Sequence, residues 1–344
     1  MTWRMPAETA QQDRVWMAFP AAGYTLGDSA KSAHEARSAW AAVAHAVADF
    51  EPVTMVVDPT TRADAARYLG SGIDVVEADL NDSWMRDIGP SFVHDDAGHL
   101  GAIDWVFNGW GAQDWASWNK DASIGRFVAD AAGATVVSSP LVNEGGGIHT
   151  DGAGTVLATK SVQLDPARNP GATRASVEAE LRRTIGAEHV VWLPRGLTRD
   201  QARFGTRGHI DMVATIPSPG TILLHAQNDP GHPDYALTRE FRTLLADEHD
   251  AAGRPFTIID LPAPAVLRDD DGFVDYNYVN HLAINGGVLA CSFGEERADA
   301  AARDVLAAAY PGRRVVSVDA RTLFARGGGI HCITQQQPSA PLPA

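Results

Sequence analysis

Short runs of β-branched residues recur along the chain. They stand at 53–58 (VTMVVD), 74–79 (DVVEAD), 135–140 (TVVSSP), 155–160 (TVLATK), 190–194 (VVWLP), 221–226 (TILLHA), 257–262 (TIIDLP), 287–293 (GVLACSF) and 314–319 (RVVSVD). Alternation with a period of two and valine enrichment predict strands there. Residues 91–106 and 211–226 each hold two apolar runs around a turn, Asp-Asp-Ala-Gly in one and Pro-Ser-Pro-Gly in the other, and predict hairpins. Apolar residues at helical spacing predict helices over 30–48, 173–185, 235–248 and 297–309. Strands and hairpins thus alternate with a helix after roughly every sixty to seventy residues.

A doubly wound sheet alternates more strictly and lacks the hairpins. The better description is a set of repeated α+β units. NEGGGIHTDG (143–152) and RGGGIHCITQ (326–335) share Gly-Gly-Gly-Ile-His, and RGHIDM (207–212) is a looser relative. Five units of about 69 residues would fill the chain as a closed ring. No Ser- or Gly-rich linker divides it, so residues 1–338 read as one domain, with a flexible tail over 339–344.

The chain has 344 residues and is 45% hydrophobic, enough for a large core. Its formal net charge of −15 argues against nucleic-acid binding, which needs clustered Lys and Arg. The N-terminus has no apolar signal region, and no apolar run approaches a membrane span. Two cysteines, Cys291 and Cys332, cannot build a disulfide framework. The reducing cytoplasm is therefore the expected compartment, with no membrane partner.

The reactive side chains in unusual settings fall in four stretches. NDSWMRDIGP (81–90) puts Asp87 before a Gly-Pro break, at a strand end or loop. NEGGGIHTDG puts Glu144 before three glycines, which permit close ligand approach. TRGHIDM sets His209 and Asp211 two apart, on one face if the segment is extended, with Arg207 beside them. Cys332 follows Gly327, Gly328 and Gly329 in a bend (GGGIHCITQQQP), next to His331. In an extended chain His331 would point away from its neighbour's side, which leaves His209 as the useful imidazole.

Each residue alone has an ordinary explanation: a turn aspartate, a surface loop, a structural His–Asp pair, a core cysteine. Zinc ligation by these groups is disfavoured, because no short paired spacing or His-Glu-x-x-His helix is present. No Gly-x-Ser-x-Gly elbow or phosphate-binding loop appears.

Taken together the residues suit one chemistry. Three carboxylates in one pocket repel unless a cation lies between them, and a guanidinium matches paired carboxylates. A thiolate can attack its carbon, ammonia leaves, and water cleaves the thiouronium. His209 would protonate the leaving ammonia and then activate water. If an amine replaces the water, the result is amidino transfer.

The motifs W-M-R-D-x-G-P, E-G-G-x-I-H-x-D-G, G-H-I-D and G-G-G-x-I-H-C-I-T-Q-Q, with the opening M-P-A-E and W-M-A-F-P, resemble the agmatine deiminases. These are guanidino-group-modifying enzymes related to bacterial-type peptidylarginine deiminases. The resemblance runs from about residue 5 to 338. It implies an α/β fold of the pentein type, a five-bladed pseudo-symmetric propeller. It also implies hydrolysis of agmatine to N-carbamoylputrescine and ammonia, without cofactor or metal. Cys332 matches the nucleophile, His209 the acid/base and Glu144 its partner. Asp87 and Asp211 match the guanidinium-binding pair. Trp84 and the loop FNGWG (107–111), with Trp110, resemble the channel walls, and Gly329 is among the glycines that admit a flat cation. The small cationic guanidine is the expected partner; homo-oligomerisation stays open, as do biosynthetic and catabolic roles.

The chain departs from the family pattern at Arg207, after His-Ile-Asp-Met, at Phe19 and after M-P-A-E. An Arg207 facing the pocket would disfavour agmatine's ammonium by roughly 1–4 kcal/mol at ~4 Å. It would favour a carboxylate-bearing guanidine such as arginine or peptidyl-arginine. On the surface it would do neither. A binding module without catalysis is the rival of a different class.

Overall fold

The computed structural model describes residues 2–340. All nine strand expectations are met within a residue or two, and so are the four helices. Helix Ala30–Ala48 begins where the Ser29 side chain accepts from the Ser32 amide, and it buries Ala36, Trp40, Val43, Ala44 and Val47 on one face. That spacing of three and four is what the sequence pattern required.

Among the described residues the strands form five mixed sheets and one two-stranded hairpin, Arg268–Asp269 with Gly272–Phe273. The sheets repeat one plan. A short strand turns back antiparallel into a second, a helix follows, and a third strand joins parallel to the second. Ser91–His94, Leu100–Val106 and Thr135–Val142 follow it. So do Ile148–Thr150, Thr155–Thr159 and His189–Leu193. The next sheets are Ala214–Ser218, Thr221–Ala226 and Thr257–Pro262, then Leu282–Ile284, Gly287–Ser292 and Arg314–Asp319. The second strands, central in their sheets, are mostly buried hydrophobics, whereas the third, at the sheet edges, are largely half-buried or exposed.

The remaining sheet joins the two chain ends. Gln12–Ala18 pairs parallel with Val53–Val57, which pairs with Asp74–Glu77. Its antiparallel partner is Thr334–Pro338, from the far end of the sequence. This strand was not visible in the hydrophobic pattern, since its core is three buried glutamines. Two of them are tethered by their side chains: Trp16 Nε1 donates to Gln337 Oε1 at 2.9 Å, and Arg86 donates to Gln336 Oε1 at 2.7 Å. Satisfied in this way, polar side chains can line a buried strand. The expected tail is pinned at its start, where the Ser339 amide donates to the Gln11 carbonyl. Residues 341–344 lie outside the described residues.

One hydrophobic cluster runs from Val15 to Ile333 and contains Trp84, Trp110 and Cys332. No described helix is long and apolar enough to cross a membrane.

Candidate active site

The connections that enter and leave the short strands bring the five expected catalytic side chains together. Their local geometry differs from the sequence expectation in three places. Asp87 lies in a helical turn, Met85–Ile88, instead of a strand end or loop. The His209–Asp211 segment is not extended: Ile210–Met212 is a 3₁₀ turn with His209 at its N-cap. Cys332 and His331 lie in a turn rather than an extended chain. Turns aim closely spaced side chains at one point, which the period-two argument could not anticipate.

His209 is fully buried. Its Nε2 faces Glu144 Oε2 at 3.3 Å and its Nδ1 lies 3.7 Å from Asp87 Oδ1. Its backbone amide donates to Asp200 and to the Thr206 hydroxyl, which fixes the turn. Burial opposes a charged ring, but Asp87, Glu144 and Asp211 outweigh it and raise the pKa to about 9. Glu144 is gripped by Arg168, whose Nε lies 3.0 Å from both carboxylate oxygens. Burial raises its pKa, yet Arg168 and His209 hold it below the ordinary value.

The two aspartates differ. Asp87 accepts from Trp110 Nε1 at 2.8 Å, and burial, with Asp211 and Glu144 nearby, pushes its pKa to about 6. Asp211 is held below the usual carboxylate range despite its burial, chiefly by His331. Its Oδ2 takes His331 Nδ1 at 2.8 Å and lies 3.6 Å from Cys332 Sγ. Its Oδ1 is buried without a hydrogen-bond partner among the described residues. An orphaned anionic oxygen is a ready acceptor for a cationic donor.

Cys332 is 3% exposed. Burial and the charges of Asp211 and Asp87 push its thiol well above the usual range. Asn280 Nδ2 donates to Sγ at 3.2 Å, and Asn280 Oδ1 accepts from the His331 amide at 3.0 Å. Cys291 sits in the core, its S–H directed to the Asn280 carbonyl.

Gly146 stands at the centre. A Cβ there would lie 2.5 Å from His209 Nδ1, 3.0 Å from Asp211 Oδ2 and 3.1 Å from Asp87 Oδ1. Only a residue without a side chain leaves that space to a ligand. Gly329 has a different place from the one expected. It packs under Asn280 and does not line the cavity, and its amide faces the thiol.

Above the thiol is a narrow cavity walled by Trp84, Trp110, Trp115, Phe204 and Arg326. Its volume is about 10 Å³, room for about one water molecule. Entry of a substrate therefore requires the wall to move. Trp110 holds left-handed backbone angles (φ 55, ψ 46) while stacking on Trp115 at 5.2 Å. Such angles cost a non-glycine residue about 1–2 kcal/mol, consistent with strain kept at a working position. Arg207 is exposed and lines no part of this cavity.

Sequence reasoning missed Arg168, Asn280, Asp200, Trp115 and Phe204. Nothing near Arg168 (PARNPG) or Asn280 (YVNHL) marks them. Their value lies in long-range contacts. The donor atoms of Glu8, His149 and His331 lie within 4.8 Å of one another, close enough for a metal ion. Arg86 NH1 is 3.5 Å from Glu8 Oε1, so a guanidinium already supplies the cation and would repel a second.

Comparison with known proteins gives a consistent family. Residues 4–338 match the model of the Porphyromonas-type peptidyl-arginine deiminases. A Streptomyces coelicolor protein provisionally named an agmatine deiminase is 53% identical over 339 residues, covering 98% of this chain and 99% of that one. The agmatine deiminase of Pseudomonas putida is 38% identical, covering 98% and 96%. The solved agmatine deiminase of Enterococcus faecalis superposes with a TM-score of 0.91 at 30% identity, over 99% of this chain and 97% of that one.

Proposed function

From its membership of the Porphyromonas-type peptidyl-arginine deiminase family, to which this chain belongs, we propose that the protein hydrolyses agmatine to N-carbamoylputrescine and ammonia. It is then a hydrolase acting on a C–N bond of a linear amidine. The observation that carries the reading is the space around Gly146. The His209 imidazole and the Asp87 and Asp211 carboxylates border it, and His209 Nδ1 there lacks a hydrogen-bond partner among the described residues.

The roles follow from the charges. Asp87 and Asp211 take the guanidinium, whose positive charge offsets their repulsion. The same charge lowers the thiol pKa of Cys332, so the nucleophile ionises when substrate is present. Sγ attacks the guanidinium carbon to give a neutral tetrahedral adduct. His209, already protonated, gives its proton to one nitrogen, and ammonia leaves a thiouronium on Cys332. Neutral His209 then takes a proton from water as its oxygen attacks. Collapse breaks the C–S bond, the hydroxyl proton passes to the departing Cys332 sulfur, and the neutral carbamoyl product is released. Glu144, held by Arg168, keeps the imidazole oriented and favours its charged form.

The surroundings of the mouth favour agmatine over a carboxylate-bearing guanidine. Arg207 is exposed. Arg326 spends its donors on the Thr25, Thr322 and Ser32 carbonyls. Arg207 lines no part of the cavity and Arg326 is already engaged, so neither is set to take a substrate carboxylate. We also propose a single domain in which five sheets close into a five-bladed propeller. The pairing of Thr334–Pro338 with Gln12–Ala18 supports closure.

The test is ammonia release from agmatine, free arginine and a peptidyl arginine side by side. Agmatine is expected to exceed the others in kcat/KM by about 10-fold or more, the worth of one charge contact. A preference for arginine would move the substrate assignment. Inactivity on every guanidine would favour a binding module, and a product carrying an added amine would favour amidino transfer.

A further inference from the structure

The reaction above uses Asp211 but leaves the charges behind it without a purpose. Behind Asp211, His331 bridges two carboxylates. Its Nδ1 lies 2.8 Å from Asp211 Oδ2, and its Nε2 lies 2.8 Å from Glu8 Oε1. A neutral imidazole has one donor, so a ring facing carboxylate oxygens through both nitrogens is an imidazolium. All three side chains are buried. Glu8 ends the M-P-A-E motif, which the catalytic chemistry had not absorbed.

The groups facing this bridge balance its charge. Arg86 NH1 is 3.5 Å from Glu8 Oε1. His149 Nδ1 is 3.6 Å from the same oxygen, and its ring lies 6.3 Å from that of His331. His281 packs beyond, bonded to the Tyr278 carbonyl and the Tyr310 hydroxyl. Burial keeps His149 and His281 neutral, the latter at about 4. Glu8 and Asp211 are then matched by His331 and Arg86. Paired in this way, buried charges are tolerable; stripped of one partner, they are not.

We infer that Glu8 and His331 are positioning residues for this reaction: Glu8 keeps His331 an imidazolium, and His331 fixes Asp211 Oδ2 where it borders the space beside Gly146, while Oδ1 keeps no other partner among the described residues. The effect on turnover rests on the deiminase reading; the charge on His331 does not. Without the bridge, Asp211 would face Asp87 and Glu144 without the cation that is bonded to it. It would take up a proton or turn away, and guanidinium binding would weaken.

The experiment compares the full-length wild type with Glu8→Gln, Glu8→Asp and His331→Gln. Removing the Glu8 charge lowers the His331 pKa, so the ring loses its proton at lower pH. In Glu8→Gln the alkaline limb of kcat/KM for agmatine should move down by about one pH unit or more. KM should rise about 10-fold at pH 8, with kcat changed less than about threefold, as loss of uniform binding requires. Glu8→Asp keeps the charge and should restore the limb. A uniform loss with unmoved limbs would show a merely structural Glu8 and overturn the proposal.

The ring protons of His331, assigned by their disappearance in His331→Gln, give a reading that needs no turnover. They should titrate above pH 7 in the wild type. A wild-type ring neutral at pH 7 overturns the proposal, even if Glu8→Gln fails to fold. A wild type inert toward every guanidine sinks the deiminase reading instead, and the resonance still decides the charge.

Discussion

Cys332 sits where a thiol is hardest to ionise, buried and beside two aspartates. That placement would disable an enzyme whose nucleophile must wait as a thiolate. It suits one whose substrate brings the missing positive charge. In the empty protein, iodoacetamide should therefore label Cys332 more slowly at pH 7 than it labels a small free thiol, with the rate climbing above pH 9 as the thiolate forms. Labelling as fast as that of a low-pKa thiol would contradict the substrate-assisted scheme. Cys332→Ala should remove ammonia release, whereas Cys291→Ala should keep most of it. Cys291 ionises even less readily, its thiol pushed up to about 12 by burial, and losing its sulfur costs about 1 kcal/mol of packing. Stability from thermal unfolding separates the two effects.

At the scale of elements, the site is made of turns while the frame is made of strands and helices. The frame was legible because burial imposes periods of two and 3.6 on its side chains. The turns were legible only as glycine-rich, polar interruptions. Their backbone paths follow from contacts with other segments: Asp200 and Thr206 hold the His209 amide, and Asn280 holds the Cys332 turn. Gly146 tests this geometry. Gly146→Ala places a methyl against His209, Asp211 and Asp87, and the resulting shift should lower kcat/KM for agmatine more than about 100-fold. Its φ is not in the left-handed region, so the melting temperature should fall only a few degrees. Full activity in this variant would mean that the space beside Gly146 is not the reaction site.

For the whole molecule, several buried acids hold protons more tightly than in an unfolded chain. Burial raises Asp121 to about 8 and Asp275 to about 7, both from an ordinary 3.8. His209 is raised from 6.5 to about 9. A group raised on folding lends stability that is complete below its unfolded pKa and lost as pH rises through the folded one. For His209 that loss spans about 6.5 to 9, and Asp121 and Asp275 complete theirs within the same range. The melting temperature at constant ionic strength should therefore fall by more than about 3 °C between pH 6.5 and 9. A flat or rising curve there would show that these groups titrate as they do in the unfolded chain.

Nine strands, four helices, the repeated plan and the five side chains that converge at the candidate site were all readable from the chain. Each leaves a local mark: a period, a turn tetrapeptide, a glycine run beside a nucleophile or acid. The strand Thr334–Pro338 was not readable, because three glutamines carry no hydrophobic signal. It is a strand because Trp16 and Arg86 satisfy two of those glutamines from more than 240 residues away. Arg168, Asn280 and the Glu8–His331 bridge were hidden for the same reason. Local sequence determines which chemistry is available and which backbone states are cheap. Tertiary structure decides which carboxylate keeps its charge, because desolvation and Coulomb interaction depend on distance in space and not along the chain.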